Sequence, residues 1–347
     1  MSPERVKVLR ARLAWLLKLL VSSALLWYIA SRISLRALGE ALAGADLMLA
    51  GLGLALSAAG MAAAALQLRV LGECQDIRLS ARDALALNLA TSFYNLLLPG
   101  ALAGGVARWY RLARSHASEQ PIAALAVILC SRFVELTTVL VAGLLFWAAD
   151  PLARSNHLVP ATFAALLTGL LLLGRAATGG RRGPAPSRKR WWSLGTALPR
   201  SWRDRWGIAL DALERFRGMP AATLRRLAVA SVARHLLMIA GFYCFALALH
   251  LPLTLAVAGW TRTTVAIAGM LPLTIGGLGV REGSLIALLH PYGVPAAAAA
   301  ALGLLLFARE LVAAALGGVI EAHAFLAPAE AVPPRPWGGV RGAEAGD

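Results

Sequence analysis

Charged side chains placed inside long apolar runs are the feature of this sequence most able to do chemistry. Six such residues stand out: Arg132, Glu135, Arg234, His235, Arg309 and Glu310. Arg132 and Glu135 are three residues apart, so on a helix they share a face and can pair. Arg309 and Glu310 are adjacent and therefore point about 100° apart on a helix. We expect this second pair to reach other elements rather than each other.

Proline and glycine interrupt two further apolar stretches, 84–107 and 253–280, in matching ways. In both, a glycine follows the proline at the fifth position and an arginine follows at the ninth. The residues of the two interruptions are Pro99, Gly104, Gly105, Arg108, Pro272, Gly276, Gly277, Gly279 and Arg281. A break in a helix leaves backbone polar groups without partners, and the helix that restarts presents its free N–H groups at the positive end of its dipole.

An anion such as phosphate is the ligand that such interruptions favour. Glycines let the backbone approach the anion closely, and Arg108 and Arg281 each offer a guanidinium fork. Asn95 can donate a hydrogen bond to the same group, and Glu282 stands beside Arg281. The alternative is that the glycines serve close helix packing and the arginines act as interface anchors.

The elements that position these residues are predicted to be membrane-spanning helices. Of the 347 residues, 59% are hydrophobic and only 15% are charged, whereas soluble domains have about 45–50% apolar and about 25% charged residues. This composition excludes a soluble enzyme, a disordered chain and a disulfide scaffold. The net charge of +16 would suggest nucleic acid in a soluble chain. Here the basic residues gather at the ends of apolar runs and in one loop, which favours lipid surfaces and excludes nucleic acid as a partner.

The predicted fold class is an all-α, polytopic membrane helix bundle. A span needs about 20 mostly apolar residues, which gives about six spanning helices and two broken segments that need not cross. The spans are Leu13–Ala30, Leu47–Leu66, Pro121–Ala149, Leu158–Gly174, Leu227–Leu249 and Ala296–Leu326, and the broken segments are Ala84–Ala107 and Leu253–Val280. Paired interruptions at corresponding positions are typical of transporters built from inverted repeats, with the substrate site between them.

Basic residues set the expected orientation. Residues 1–12 and the loop 175–226 are both rich in Lys and Arg, so both are predicted to be cytoplasmic. An even number of spans must then separate them, which holds if 84–107 is re-entrant from the cytoplasmic side and 253–280 from the opposite side. Residues 13–326 form the membrane domain, with an amphipathic helix inside the basic loop, and residues 327–347 are predicted to be a disordered tail.

Three sequence stretches carry a family resemblance: 95–108 with Arg111 and Leu112 after it, Ser-Arg-Phe-Val-Glu-Leu at 131–136, and 271–283, which includes Gly-Gly-Leu-Gly-Val-Arg-Glu-Gly. They resemble the transmembrane, flippase-like domain of lysylphosphatidylglycerol synthases, over roughly residues 10 to 326. The resemblance implies a multi-pass protein of a bacterial or archaeal plasma membrane that handles lipid. We expect this chain to lack the soluble aminoacyltransferase domain of the synthases, so the resemblance is not expected to extend to synthase activity.

The function favoured by these residues is translocation of an anionic or glycosylated lipid across the bilayer. The expected partners are membrane lipids, either an anionic phospholipid or a lipid-linked glycan, with a separately encoded lipid-modifying enzyme as a further partner. We find no catalytic or metal-binding motif and expect no cofactor, so an enzyme is not expected. Two alternatives stay open. One is a membrane subunit or enzyme that modifies a lipid-linked sugar or isoprenoid lipid, and the other is a scaffold for a soluble partner.

Overall fold

The computed structural model describes residues 34–97, 103–116, 121–155, 157–178, 218–270 and 277–326, with isolated positions in 20–31, at 215–216 and at 274. Its regular elements are α-helices and two short 3₁₀ turns, which confirms the predicted all-α bundle. The helices are α1 (Leu35–Ala43), α2 (Leu47–Glu73), α3 (Ala81–Leu97), α4 (Ala103–His116), α5 (Pro121–Ala148), α6 (Leu158–Thr178), α7 (Ala221–Ala248), α8 (Leu255–Gly269), α9 (Val280–Leu289) and α10 (Ala296–Leu326).

Four of the described helices are long and apolar enough to cross a membrane: α2, α5, α7 and the Ala296–His323 part of α10. A shorter apolar helix, Leu158–Leu172, lies within α6 where a span was predicted. Most of the predicted first span Leu13–Ala30 lies outside the described residues, as do the basic N-terminus, most of the basic loop with its amphipathic helix, and the tail.

Helices α2 and α7 share the most extensive contact among the described helices, and within it glycines face each other. A Cβ atom on Gly53 would lie 3.0 Å from the carbonyl oxygen of Gly241, and a Cβ atom on Gly241 would lie 2.9 Å from that of Gly53. Such small-residue contacts let helix backbones approach each other where lipid offers no hydrophobic driving force. The two helices run antiparallel, since Gly60 of α2 contacts Arg234 of α7 and Glu73 pairs with Arg226.

Helices α3 and α4 form a hairpin, here called hairpin A, whose two outer ends meet at one end of the bundle. Ala84 near the start of α3 and Leu112 near the end of α4 belong to the same buried apolar cluster. That cluster also contains Leu71 of α2, Val127 of α5 and Leu227 of α7. Hairpin A therefore enters and leaves the bundle at the end where α7 begins, as expected of a re-entrant segment.

Helices α8 and α9 form a second hairpin, hairpin B, at the other end of the bundle. Val257 near the start of α8 and Leu289 at the end of α9 share a buried cluster with Phe242 and Leu249 of α7. Because Phe242 and Leu249 lie in the C-terminal part of α7, this cluster is at the opposite end from the first. The two hairpins enter from opposite ends, which is the arrangement that an inverted repeat predicts.

Replacing Gly317 with Ala is expected to lower the free energy of unfolding by about 1–3 kcal/mol, the usual range for overpacking. Helix α10 lies directly on α3 at this point, and a Cβ atom on Gly317 would be 2.1 Å from the carbonyl oxygen of Leu89. Gly169→Ala in α6 is the matched control, because a Cβ atom there has nothing within 4 Å. Thermal unfolding of both purified variants in detergent checks the prediction, and equal stabilities would contradict it.

Candidate functional site

Glu135, at the middle of the 28-residue helix α5, holds two arginines from different directions. Its Oε2 accepts a hydrogen bond from Nη1 of Arg132 at 3.1 Å, and its Oε1 accepts one from Nη2 of Arg234 at 2.6 Å. The predicted Arg132–Glu135 pair is confirmed. The shorter contact, however, comes from α7, so this carboxylate ties two spanning helices together.

Glu310 forms a second centre of charge, at the middle of α10. Its Oε2 accepts a hydrogen bond from Nη2 of Arg281 at 2.7 Å, and its Oε1 accepts one from Nη2 of Arg309 at 3.0 Å. The prediction that Arg309 and Glu310 do not pair is wrong, since long side chains on adjacent residues can bend toward each other. As expected, both residues also reach other elements: Glu310 binds α9, and Arg309 donates to the Met238 sulfur of α7 at 3.3 Å.

The two centres belong to one electrostatic network, here called the central charge cluster: Arg108, Arg132, Glu135, Arg234, Arg262, Arg281, Arg309 and Glu310. Arg262 of α8 links them, because its guanidinium interacts with the charges of both Glu135 and Glu310. Arg108 of α4 interacts with Glu135 and with its two paired arginines. Since the glutamates lie at the middle of spanning helices, the cluster lies at mid-depth, where hairpins A and B converge.

Two arginines of the cluster have no partner among the described residues. The charges around Arg108 and Arg262 act on them through space, without a hydrogen bond or ion pair to either guanidinium. Arg108 is 7% exposed, and its buried Nε lacks a hydrogen-bond partner. A guanidinium stays protonated in proteins, and an uncompensated charge at mid-bilayer costs at least about 2.5–3.5 kcal/mol. The arrangement therefore favours an anion that would neutralise it.

The backbone amides at the helix starts within the two hairpins bind side chains of the protein, whereas the prediction left them to an anion. The Gly104 amide donates to Asn95 Oδ1 at 3.1 Å, and the Gly279 amide donates to Glu282 Oε2 at 2.7 Å. These two amides are not free for an anion, because side chains of the protein already cap them. Asn95 and Glu282 thus hold the hairpins, and the arginines of the cluster supply positive charge to a ligand.

Three glycines of the hairpins have identifiable structural roles. Gly104 lies against Asn95 and the Thr91 carbonyl, so it serves hairpin packing. Gly277 and Gly279 have φ angles of +75° and +81°, in the left-handed region that favours glycine.

Gly105 differs from these glycines, since a Cβ atom there would meet nothing within 4 Å. Pro99, Pro272 and Gly276, which were predicted to belong to the same site, lie outside the described residues.

The family model of the lysylphosphatidylglycerol synthase TM region matches residues 15–318, which is most of the chain. The chain belongs to this family. It is a multi-pass membrane protein of a family involved in lipid handling. Among curated proteins, none matches the sequence.

Sequence reasoning missed one arginine of the central charge cluster. Arg262 lies in the middle of α8, flanked by the buried residues Thr261 and Thr263. A single charge inside an apolar broken segment was the signal that could have found it. Arg234 was found, but its pairing with Glu135 was not, because 99 residues separate the two in sequence.

His235 lies next to the central charge cluster, but it forms none of the ion pairs of the cluster. The residue is 4% exposed, and its Nε2 has no hydrogen-bond partner among the described residues. Glu135 and Arg262 are its charged neighbours from α5 and α8. The predicted place of His235 inside the bundle is therefore observed, beside the arginines rather than among their ion pairs.

A further buried carboxylate, Asp150, follows the end of α5 that lies away from hairpin A and forms hydrogen bonds there. Asp150 is 3% exposed and accepts hydrogen bonds from Trp260 Nε1 at 2.8 Å, from the Leu152 amide at 3.0 Å and from the Tyr292 hydroxyl. Because Trp260 lies in α8 and Tyr292 follows α9, Asp150 joins the end of α5 to hairpin B. Within the described residues, no group of three His, Cys, Asp or Glu side chains could hold a metal ion.

Proposed function

We propose that this protein translocates an anionic or glycosylated lipid across a bacterial or archaeal plasma membrane, with its N-terminus in the cytoplasm. The observation that carries the proposal is a cationic cluster at mid-depth, reached by one hairpin from each end of the bundle. A lipid headgroup that crosses a bilayer needs a polar site at that depth, because the hydrocarbon core excludes charge. Discontinuous helices that meet from both sides are the common way in which transporters build such a site.

The central charge cluster supports an anionic headgroup as the substrate. Each carboxylate is already shared between two arginines, so Glu135 and Glu310 have little capacity left for a cationic headgroup. Arg108 and Arg262 are free to form charge-assisted hydrogen bonds with phosphate oxygens. In the proposed function the partners are membrane lipids, the protein is not itself an enzyme, and a separately encoded enzyme would act on the lipid before or after it crosses.

Arg281→Ala is expected to abolish lipid translocation in reconstituted vesicles while leaving the folded yield near that of the unmodified protein. Arg281 joins hairpin B to α10 at mid-depth and is 7% exposed. Folding should survive its loss, because Glu310 still accepts a hydrogen bond from Arg309 at 3.0 Å. The measurement is movement of a fluorescent phosphatidylglycerol between leaflets, followed by quenching of the outer leaflet.

Arg225→Ala is the matched control for this substitution. Arg225 is an exposed arginine near the start of α7, so its loss should leave translocation unchanged. Unchanged translocation by the Arg281→Ala protein would remove the role proposed for Arg281. Absence of translocation by the unmodified protein, across a panel of anionic and glycosylated lipids, would overturn the proposed function itself.

A further inference from the structure

We infer that the central charge cluster takes a doubly charged phosphate group, such as a phosphate monoester or a diphosphate, in preference to the singly charged phosphodiester of common phospholipids. The inference rests on the proposed function for the location of the site, and it deepens that function by naming the substrate class.

The charge balance of the cluster is strongly positive. Six of its residues are arginines, and two are glutamates, each of which already neutralises part of the charge of two arginines. Even with the nearby carboxylate of Glu282 included, the described residues carry three more positive than negative charges at mid-depth. A phosphodiester would neutralise one of these charges, whereas a phosphate monoester carries about −1.5 to −2 near neutral pH.

The two unpartnered arginines lie on different hairpins and interact with the same charged residues. Arg108 belongs to hairpin A and Arg262 to hairpin B, and both interact electrostatically with Glu135 and Arg234. A phosphate monoester presents three strong acceptor oxygens to the arginines of the cluster. A phosphodiester has only two non-bridging oxygens. A doubly charged group therefore matches the excess positive charge of the cluster better than a singly charged one.

The burial of Arg108 points to a ligand rather than to solvent. Its side chain is more than nine-tenths buried, and its Nε has no hydrogen-bond partner among the described residues. Thr261, beside Arg262, is fully buried and its hydroxyl also lacks a partner there. Buried polar atoms without partners are rare in native proteins and call for an explanation. An anion bound at the cluster would supply acceptor oxygens for such donors.

Two small phosphates of similar size test the charge preference on the full-length protein in detergent. Methyl phosphate is doubly charged at pH 7.5, and dimethyl phosphate is singly charged at any accessible pH. We expect methyl phosphate to raise the midpoint of thermal unfolding at concentrations at least tenfold lower than dimethyl phosphate. Equal concentrations for the two probes would overturn the inference.

A competition experiment with lipids distinguishes a lipid headgroup from a free phosphate as the natural ligand. Phosphatidic acid carries a phosphate monoester and phosphatidylglycerol a phosphodiester, so in mixed micelles phosphatidic acid should displace methyl phosphate at least tenfold more effectively. Displacement by neither lipid, with methyl phosphate still bound, would show that the site serves a free phosphate and would overturn the lipid part of the inference.

Single substitutions assign the preference to the two unpartnered arginines. Arg108→Gln and Arg262→Gln should each reduce the affinity for methyl phosphate by at least tenfold and leave that for dimethyl phosphate nearly unchanged. Arg225→Gln, at the exposed start of α7, should change neither affinity. If either cluster variant fails to fold, the comparison of probes on the unmodified protein still decides the inference.

The failure of this inference and the failure of the proposed function have different signatures. If vesicles translocate phosphatidylglycerol but the protein does not distinguish the two small phosphates, translocation stands and the charge preference is wrong. If the protein prefers methyl phosphate and phosphatidic acid but moves no lipid, the site stands and translocation is wrong.

Discussion

Replacing Glu135 with Gln is expected to lower the free energy of unfolding by about 3–5 kcal/mol, as is usual when one member of a buried ion pair is removed. The carboxylate binds Arg132 and Arg234, and its negative charge also acts on Arg108. Gln keeps the shape of the side chain but leaves these guanidinium groups without a counter-charge at mid-depth. Thermal or denaturant unfolding of the purified protein in mild detergent measures the effect.

Two comparisons separate this effect from an ordinary loss of charge. Glu40→Gln removes an exposed partner of Arg36 in α1, a type of pair that contributes at most about 1 kcal/mol. Arg234→Gln combined with Glu135→Gln removes both charges of the shorter pair and should recover part of the stability lost in Glu135→Gln alone. Equal stability of the Glu135→Gln and Glu40→Gln proteins would contradict a buried cluster held together by Glu135.

The helices could largely be predicted because hydropathy and helix-breaking residues act locally. Apolar runs long enough to span a bilayer gave α2, α5, α7 and α10, and α10 has the predicted bounds Ala296–Leu326. Helix α2 at its end and α7 at its start extend beyond the predicted bounds, because polar residues can continue a helix beyond the apolar core. Helix α2 runs past the predicted Leu66 to Glu73, which pairs with Arg226 of α7. Such a contact depends on the packing of two helices and is invisible in either segment alone.

The pairing of charges was less predictable than their location. A spacing of three residues identified the Arg132–Glu135 pair, because helix geometry alone brings those side chains together. The same geometric rule failed for Arg309 and Glu310, since the presence of Arg281 and Met238 around them fixes their side chains. The contact of Arg234 with Glu135 joins residues on different helices and depends on the tertiary arrangement.

The matched interruptions pointed to the right region but to the wrong chemical groups. Helix starts do need partners for their N–H groups, and for Gly104 and Gly279 the protein supplies them from Asn95 and Glu282. Sequence reasoning could not tell an internal cap from a ligand, because both satisfy the same donors. It also treated Arg108 and Arg281 as equivalent. The structure instead pairs Arg281 with Glu310 and gives Arg108 no hydrogen-bonded partner among the described residues.

Single-cysteine labelling is expected to give an all-or-none result for the opposite orientation of the two hairpins. In a background in which Cys74, Cys130 and Cys244 are replaced, the variants Arg78→Cys, Ser115→Cys, Pro252→Cys and His290→Cys each place one thiol at an exposed position flanking a hairpin. Arg78 and Ser115 flank hairpin A, and Pro252 and His290 flank hairpin B.

A membrane-impermeant maleimide added to intact cells should label the two hairpin B variants almost completely and the two hairpin A variants almost not at all. The reason is that hairpins A and B pack into apolar clusters at opposite ends of α7, so their outer ends must face opposite sides of the membrane. Permeabilised cells are the control, in which all four variants should react. Labelling of Ser115→Cys and His290→Cys from the same side would show that the hairpins do not approach the central charge cluster from opposite leaflets. A headgroup would then have no continuous polar route through the bundle.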